Sequence, residues 1–105
     1  MLVQINTDNR VDGPQDVADG FEERVRTRLS RFGDRLTRVE VHIRDADGHR
    51  NGPDGITVSV EARPAGGQPI TVTDTGNDPG STLNGALRKA VDALESSFGK
   101  LDAVR

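Results

Sequence analysis

The chain contains no cysteine, no tryptophan and no tyrosine, and its only aromatic residues are three phenylalanines. Without cysteine, it can form neither a disulfide bond nor a thiolate metal site, which suits a reducing cytoplasm. No apolar run approaches the ~20 residues that span a bilayer. The first residues also lack the basic segment and long apolar run of a signal peptide. We therefore expect a bacterial cytoplasmic protein that has no membrane partner.

Residue patterns typical of catalysis or of cofactor binding are also scarce. The two histidines are His42, on the polar side of an expected strand, and His49, in an expected loop, so both are interpreted as solvated. Residues 45–48, Asp-Ala-Asp-Gly, partly match a calcium loop, but Ile56 stands where an EF-hand needs glutamate. The glycine pair at 66–67 lacks the strand and helix context of a nucleotide site. We expect no enzyme, no cofactor, no metal and no small-molecule substrate.

Alternation of apolar and polar residues predicts four strands. A chain of 105 residues has room for one domain, which we expect to cover residues 1–105. The alternating segments are 2–7, 38–44, 56–63 and 70–73. A period of two is typical of strands that bury one face and expose the other, so we expect a sheet covered on a single side.

Two further segments repeat apolar residues at steps of three and four, as amphipathic helices do. The first stripe is Val17, Phe21, Val25, Leu29, Phe32 and Leu36, and the second is Leu83, Leu87, Ala90, Val91, Leu94, Phe98 and Leu101. We expect the first helix to begin at residues 12–14 and to end or loosen at Gly33. After a turn-rich segment at 74–80, Ser81 or Thr82 is expected to cap the second helix.

These elements predict an α+β fold in the order β-α-β-β-β-α. Each expected helix has one apolar face, and the expected sheet has one apolar face. The economical arrangement is a two-layer sandwich, in which a four-stranded sheet carries both helices on one side.

Charge is distributed unevenly along the chain. The net charge is −3, yet residues 24–38 contain six arginines and one acid, so this segment carries +5 and the remainder carries −8. At 100° per residue, four of the arginines fall in a narrow arc beside the first apolar stripe. We call Arg24, Arg28, Arg31 and Arg35 the arginine strip. It extends about 16 Å at ~1.5 Å per residue, and its guanidinium groups could each meet a phosphate of a nucleic-acid backbone.

An alternative interpretation of the arginine strip is structural. Arginines beside an apolar stripe can lay their aliphatic stems over the core and keep only the charged end in water. In addition, Phe21, Phe32 and Phe98 all lie on the apolar stripes, so no aromatic platform is expected for stacking of bases. Recognition of RNA would therefore depend on its backbone and shape.

A family resemblance supports the interpretation as an RNA-binding protein. Residues 32–41, Phe-Gly-Asp-Arg-Leu-Thr-Arg-Val-Glu-Val, are similar to the F-x-(D/R)-R-(I/L)-x-x-V-x-V passage of bacterial hibernation-promoting factors and ribosome-associated inhibitors. Residues 86–94, with Ala86, Leu87, Val91, Asp92 and Leu94, are similar to the A-I-D-x-L-I-D-K-L run of that family's second helix. The resemblance covers nearly the whole chain, which is identified as a short, divergent member.

The resemblance implies a ribosome-binding translation inhibitor that docks on the 16S rRNA of the small subunit and silences idle ribosomes. The residues it implies for this contact are Arg24, Arg28, Arg31, Arg35, Arg38, Arg88, Lys89 and Lys100. The sequence departs from the family at residues 95–97, Glu-Ser-Ser, where the family's second helix is usually basic, and at Asn84, where an aromatic residue is usual. Arg88 could instead pair with Asp92, four residues later.

A second hypothesis keeps the fold and changes the partner. The chain would then be a protein-interaction module that no longer binds ribosomes and uses an edge strand or the open face of the sheet. The polar residues expected on that face are Glu40, His42, Arg44, Glu61 and Arg63.

Overall fold

The computed structural model describes residues 1–7, 15–45 and 55–103. Its elements in chain order are β1 (Leu2–Thr7), α1 (Gln15–Leu29), a 3₁₀ segment (Ser30–Arg35), β2 (Leu36–Asp45), β3 (Ile56–Pro64), β4 (Ile70–Gly76) and α2 (Pro79–Ala103). The predicted order β-α-β-β-β-α and the α+β class are confirmed. The expected helix start at 12–14, His49, most of the 45–48 segment and the side chains of Val17 and Leu101 lie outside the described residues.

The four strands form one mixed sheet in the order β1-β2-β3-β4. β1 and β2 are parallel because α1 crosses over between them, whereas the later strands pair antiparallel. The register aligns Val3 with Val39, Val39 with Ala62 and Ala62 with Ile70, so an apolar row crosses the sheet. A shift of one residue would turn each of these side chains to the opposite face, so burial of one face fixes the register.

Both helices pack on the apolar face of the sheet, as the sequence predicts. The core residues with no exposed surface come from α1, from the two central strands and from α2, and they are Val25, Leu29, Val39, Val41, Ile43, Val58, Val60, Leu83, Ala86, Leu87 and Leu94. Burial of each large aliphatic side chain contributes about 1.5–3 kcal/mol. Among the described residues, neither helix is apolar enough over a sufficient length to cross a membrane.

The first helix is shorter than its apolar stripe predicts. α1 ends at Leu29, and Leu36 is the first residue of β2 rather than part of the helix. Between them, Gly33 has φ 51° and ψ −129°, a conformation that glycine adopts far more readily than other residues. Gly33 therefore interrupts the 3₁₀ segment and redirects the chain, whereas α1 itself already ends at Leu29. Leu36 still reaches the core, with 1% of its surface exposed, but does so from the strand.

The start of the second helix also differs from the prediction. β4 continues through part of the expected turn to Gly76, and α2 begins at Pro79. Asp78 is the capping residue, not Ser81 or Thr82, because its carboxylate accepts a hydrogen bond from the Ser81 backbone N–H at 3.1 Å and another from the Ser81 hydroxyl. The hydroxyl and then the N–H lower the pKa of Asp78 below its ordinary value of 3.8. Pro79 suits the first helical position, where no N–H is required.

Candidate nucleic-acid interface

The arginine strip lies next to α2. The two helices lie side by side and run in the same direction. Arg24 contacts Asn84 near the start of α2, and Arg31 contacts Glu95 three turns later. On α2, Asn84, Arg88 and Glu95 fall within about 40° of one another around the helix axis. We call the surface formed by the arginine strip and these three α2 residues the interhelical groove.

Arg24 joins the two helices through neutral partners. Its Nη1 donates to the Gly80 carbonyl oxygen at 3.1 Å and to Asn84 Oδ1 at 3.3 Å. Its guanidinium carbon lies 5.3 Å from the centre of the Phe21 ring, within range of a cation–π interaction. None of these partners carries a charge, so Arg24 contributes its full positive charge to the groove.

Arg31 has a charged partner. Its Nη2 lies 3.3 Å from Glu95 Oε2, and the two side chains remain 56% and 46% exposed. An ion pair this exposed stabilises the fold by only about 0.2–1 kcal/mol, because water and salt screen it. The Glu95 carboxylate is thus a weakly held partner of the Arg31 guanidinium. An anion that binds the guanidinium more tightly can displace it.

Arg35 closes the far end of the groove. Its guanidinium carbon lies 3.9 Å from the centre of the Phe98 ring, in cation–π contact with a buried aromatic residue. The structural interpretation in the sequence analysis therefore applies in part, since Arg35 covers an apolar side chain of the core while its own side chain stays exposed.

Arg28 and Arg88 are the unengaged cations of the groove. Both are exposed, and neither forms a hydrogen bond or ion pair with any residue that the structure describes. The spacing of Arg88 and Asp92 in the sequence allows an ion pair between them. This pair does not form among the residues that the structure describes. Arg28 lies on α1 between Arg24 and the 3₁₀ residue Arg31 along the chain, and Arg88 lies between Asn84 and Glu95 on α2. The middle of the groove therefore presents two guanidinium groups that have no polar partner among the residues of the described ranges.

Arg38 does not belong to the groove. It lies on β2, and its side chain is on the open face of the sheet, on the opposite side from the helices. Its Nη2 donates to Gln4 Oε1 at 2.6 Å, and its Nε lies 3.1 Å from Glu40 Oε2, although outside hydrogen-bonding geometry. In the sequence, Arg38 falls on an expected strand, outside the arginine strip, and only the family resemblance implies it as a contact residue.

The two α2 lysines also lie away from the middle of the groove. Lys89 Nζ donates to the Thr73 carbonyl oxygen at 2.9 Å and to Asp74 Oδ1 at 3.3 Å, so it reaches over the edge strand β4. Lys100 is exposed near the end of α2 and makes no polar contact with the described residues. Of the eight predicted residues, the structure brings together the arginine strip and Arg88.

The open face of the sheet carries the five polar residues considered for protein docking, Glu40, His42, Arg44, Glu61 and Arg63. Cross-strand register sets Arg38 opposite Arg63 and Glu40 opposite Glu61. Arg63 Nη2 lies 3.3 Å from Glu61 Oε1 and 3.7 Å from Glu40 Oε2, so these charges largely compensate one another. Arg44 is exposed and has no polar partner among the described residues. Docking of a protein on this face stays a prediction.

Sequence reasoning missed two contact residues of the groove, Asn84 and Glu95. Both stand out in the sequence as departures from a basic or aromatic pattern, but their contacts come from residues 60 and 64 positions earlier. The signal that could have indicated them is their shared stripe with Arg88 on α2. Among the described residues, no cluster of histidine, aspartate and glutamate could hold a metal ion.

The fold is a small α+β domain with two helices on one face of a four-stranded mixed sheet, and it carries a basic interhelical groove. Residues 10–102 match the model of the protein family described as sigma 54 modulation protein / S30EA ribosomal protein. The chain belongs to this family, which confirms the resemblance found in the sequence.

Two solved structures share the fold over nearly their whole length. A ribosomal subunit interface protein from Coxiella burnetii is 18% identical, with a TM-score of 0.64 over 98% of this chain and 99% of that one. The N-terminal domain of Protein Y from Thermus thermophilus is 20% identical, with a TM-score of 0.61 over 96% of this chain and 99% of that one. No curated protein matches the chain.

Proposed function

We propose that this protein is a non-catalytic, ribosome-binding translation inhibitor that docks on small-subunit 16S rRNA in the bacterial cytoplasm. Membership of the S30EA family supports ribosome association. The Coxiella burnetii structure with the same fold is named a ribosomal subunit interface protein. Our proposal goes further, because it assigns the contact to the interhelical groove of this chain.

The observation that carries this assignment is that Arg28, in the middle of the arginine strip, has no polar partner among the described residues. Arg28 is exposed and makes no polar contact with the described residues, while its neighbour Arg24 has only neutral partners. A row of guanidinium groups can donate to successive phosphates, and such contacts position a protein on RNA without reading bases. The lack of an exposed aromatic platform is therefore compatible with this mode of binding.

The local charge of the groove is what allows a chain of net charge −3 to bind RNA. Exposed charges farther apart than about 8 Å are largely screened at physiological salt, so a phosphate at Arg28 responds mainly to the nearby arginines. Each phosphate contact releases condensed counterions, and the affinity should therefore fall steeply as salt is raised.

The test is cosedimentation of the purified protein with small ribosomal subunits at two salt concentrations. We expect pelleting at the lower salt, and we expect the double change Arg28→Glu with Arg31→Glu to abolish it. The thermal stability of this variant should change little, because Arg28 has no partner in the part of the chain that the structure describes and the Arg31 ion pair is exposed.

Arg44→Glu is the matched control for Arg28→Glu. Arg44 is equally exposed and equally free of described partners, but it lies on the open face of the sheet. If binding depends on the groove, Arg44→Glu should pellet like the unmodified protein. Pelleting that survives the groove changes, or that is lost equally in Arg44→Glu, would refute the assignment to the groove.

A further inference from the structure

Glu95 places a carboxylate in the surface that the proposed function assigns to RNA phosphate. Its Oε2 lies 3.3 Å from Arg31 Nη2, and this ion pair joins the arginine strip to α2. A carboxylate and a phosphate use the same guanidinium donors, in the same bidentate geometry. Glu95 therefore occupies a position in which a phosphate oxygen would bind.

We infer that Glu95 is a built-in competitor for phosphate, which keeps the affinity of the interhelical groove for RNA below what its arginines would otherwise provide. The inference rests on the proposed function. Because both side chains of the pair are about half exposed, a phosphate can reach Arg31 from solvent and displace the carboxylate without opening the core.

The residues around the Arg31–Glu95 pair determine how a phosphate competes with Glu95. Arg28 on α1 and Arg88 on α2 both precede the pair along the groove and have no described partners, so a phosphate can bind them without displacing anything. A backbone that follows the groove then meets Arg31, where Glu95 both holds the guanidinium and repels the incoming anion. Removing the carboxylate should free one additional phosphate contact.

Asp92 on α2 provides a matched control. It lies one turn before Glu95, it is exposed, and it makes no polar contact with the described residues. Asp92→Asn therefore removes the same unit of charge from the same helix without releasing an arginine. Any effect of overall charge should be common to both variants, whereas release of Arg31 belongs to Glu95→Gln alone.

The experiment measures binding of a fluorescently labelled RNA duplex by anisotropy over a salt series. We expect Glu95→Gln to bind about two- to five-fold more tightly than Asp92→Asn, the factor that corresponds to an exposed ion pair. The slope of log affinity against log salt should steepen by roughly one, because one more phosphate is contacted. In an Arg31→Ala background the advantage of Glu95→Gln should disappear, since that cycle isolates the coupling between the two residues.

The results separate this inference from the proposed function. Equal binding by Glu95→Gln and Asp92→Asn, or an advantage of Glu95→Gln that persists in the Arg31→Ala background, would overturn the inference. The same variants sedimented with small subunits test the proposed function. If the coupling holds on the RNA duplex while no variant pellets with subunits, the ribosomal assignment fails and the competition by Glu95 stands.

Discussion

Replacing Gly33 with alanine measures how much the backbone conformation between α1 and β2 affects the free energy of unfolding. At φ 51° and ψ −129°, a residue with a Cβ atom is strained, and such conformations cost about 1–3 kcal/mol. A Cβ built at Gly33 meets no atom within 4 Å, so steric overlap with neighbours adds nothing to that figure. We expect Gly33→Ala to lower the free energy of unfolding by about 1–3 kcal/mol.

Gly99→Ala is the control for this prediction. Gly99 also has open space around a Cβ, but it lies within α2 and has no positive φ. There alanine should stabilise the protein by about 0.5–1 kcal/mol, because glycine loses more conformational freedom on folding. Urea denaturation measures both changes, and a change of 1 kcal/mol corresponds to about 4–8 °C in Tm for a domain near this size. A Gly33→Ala protein as stable as the unmodified one would refute the reasoning.

Two other predictions concern charged residues outside the groove. Glu40→Gln should lower the free energy of unfolding by about 0.5–1 kcal/mol in urea denaturation, because it leaves the partly exposed Arg38 and Arg63 facing each other across β2 and β3 without their shared carboxylate; an unchanged midpoint would contradict this. The Ser81 hydrogen bonds lower the pKa of Asp78 in the folded protein. The ionised Asp78 cap therefore stabilises the fold above pH 3.8. This stabilisation is lost as the pH falls below 3.8 through the folded pKa. The Tm difference between the unmodified protein and Asp78→Asn should therefore shrink in that acidic range, and a difference independent of pH would count against the cap.

The strands were predictable because their signal is local. Alternation with a period of two is visible within each segment, and burial of only one face leaves a single register that satisfies all four strands. The stripes of the two helices were predictable for the same reason, since Val25, Leu29, Leu87 and Leu94 occupy the core as their spacing predicts.

The element ends were harder to predict, because several residues fit more than one role. Leu36 follows Phe32 at a helical step of four, yet it also begins the alternation of β2, and only the backbone turn at Gly33 decides between the two. Asp78 and Ser81 are both favourable capping residues. β4 is longer than predicted, and α2 begins immediately after Asp78. The alternation of apolar and polar residues in β4 weakens before the strand ends.

The residues of the groove also divide into those with a local sequence signal and those set by tertiary packing. The helical period of the sequence predicts the arginine strip, and Arg24 of α1 and Arg31 of the 3₁₀ segment do both contact α2. Their partners, Asn84 and Glu95, depend on how α2 packs against α1, which is a tertiary property that no local pattern contains. Whether an arginine in the strip is available to a ligand therefore could not be read from the sequence.

The hydrogen bond from Lys89 to the Thr73 carbonyl has a consequence for self-association. β4 is an edge of the sheet, and an uncovered edge is a template on which another chain can add a strand. The Lys89 ammonium occupies one acceptor of that edge and places a positive charge over it. We therefore expect Lys89, which the family resemblance implied for RNA contact, to hinder the addition of a further strand at this edge.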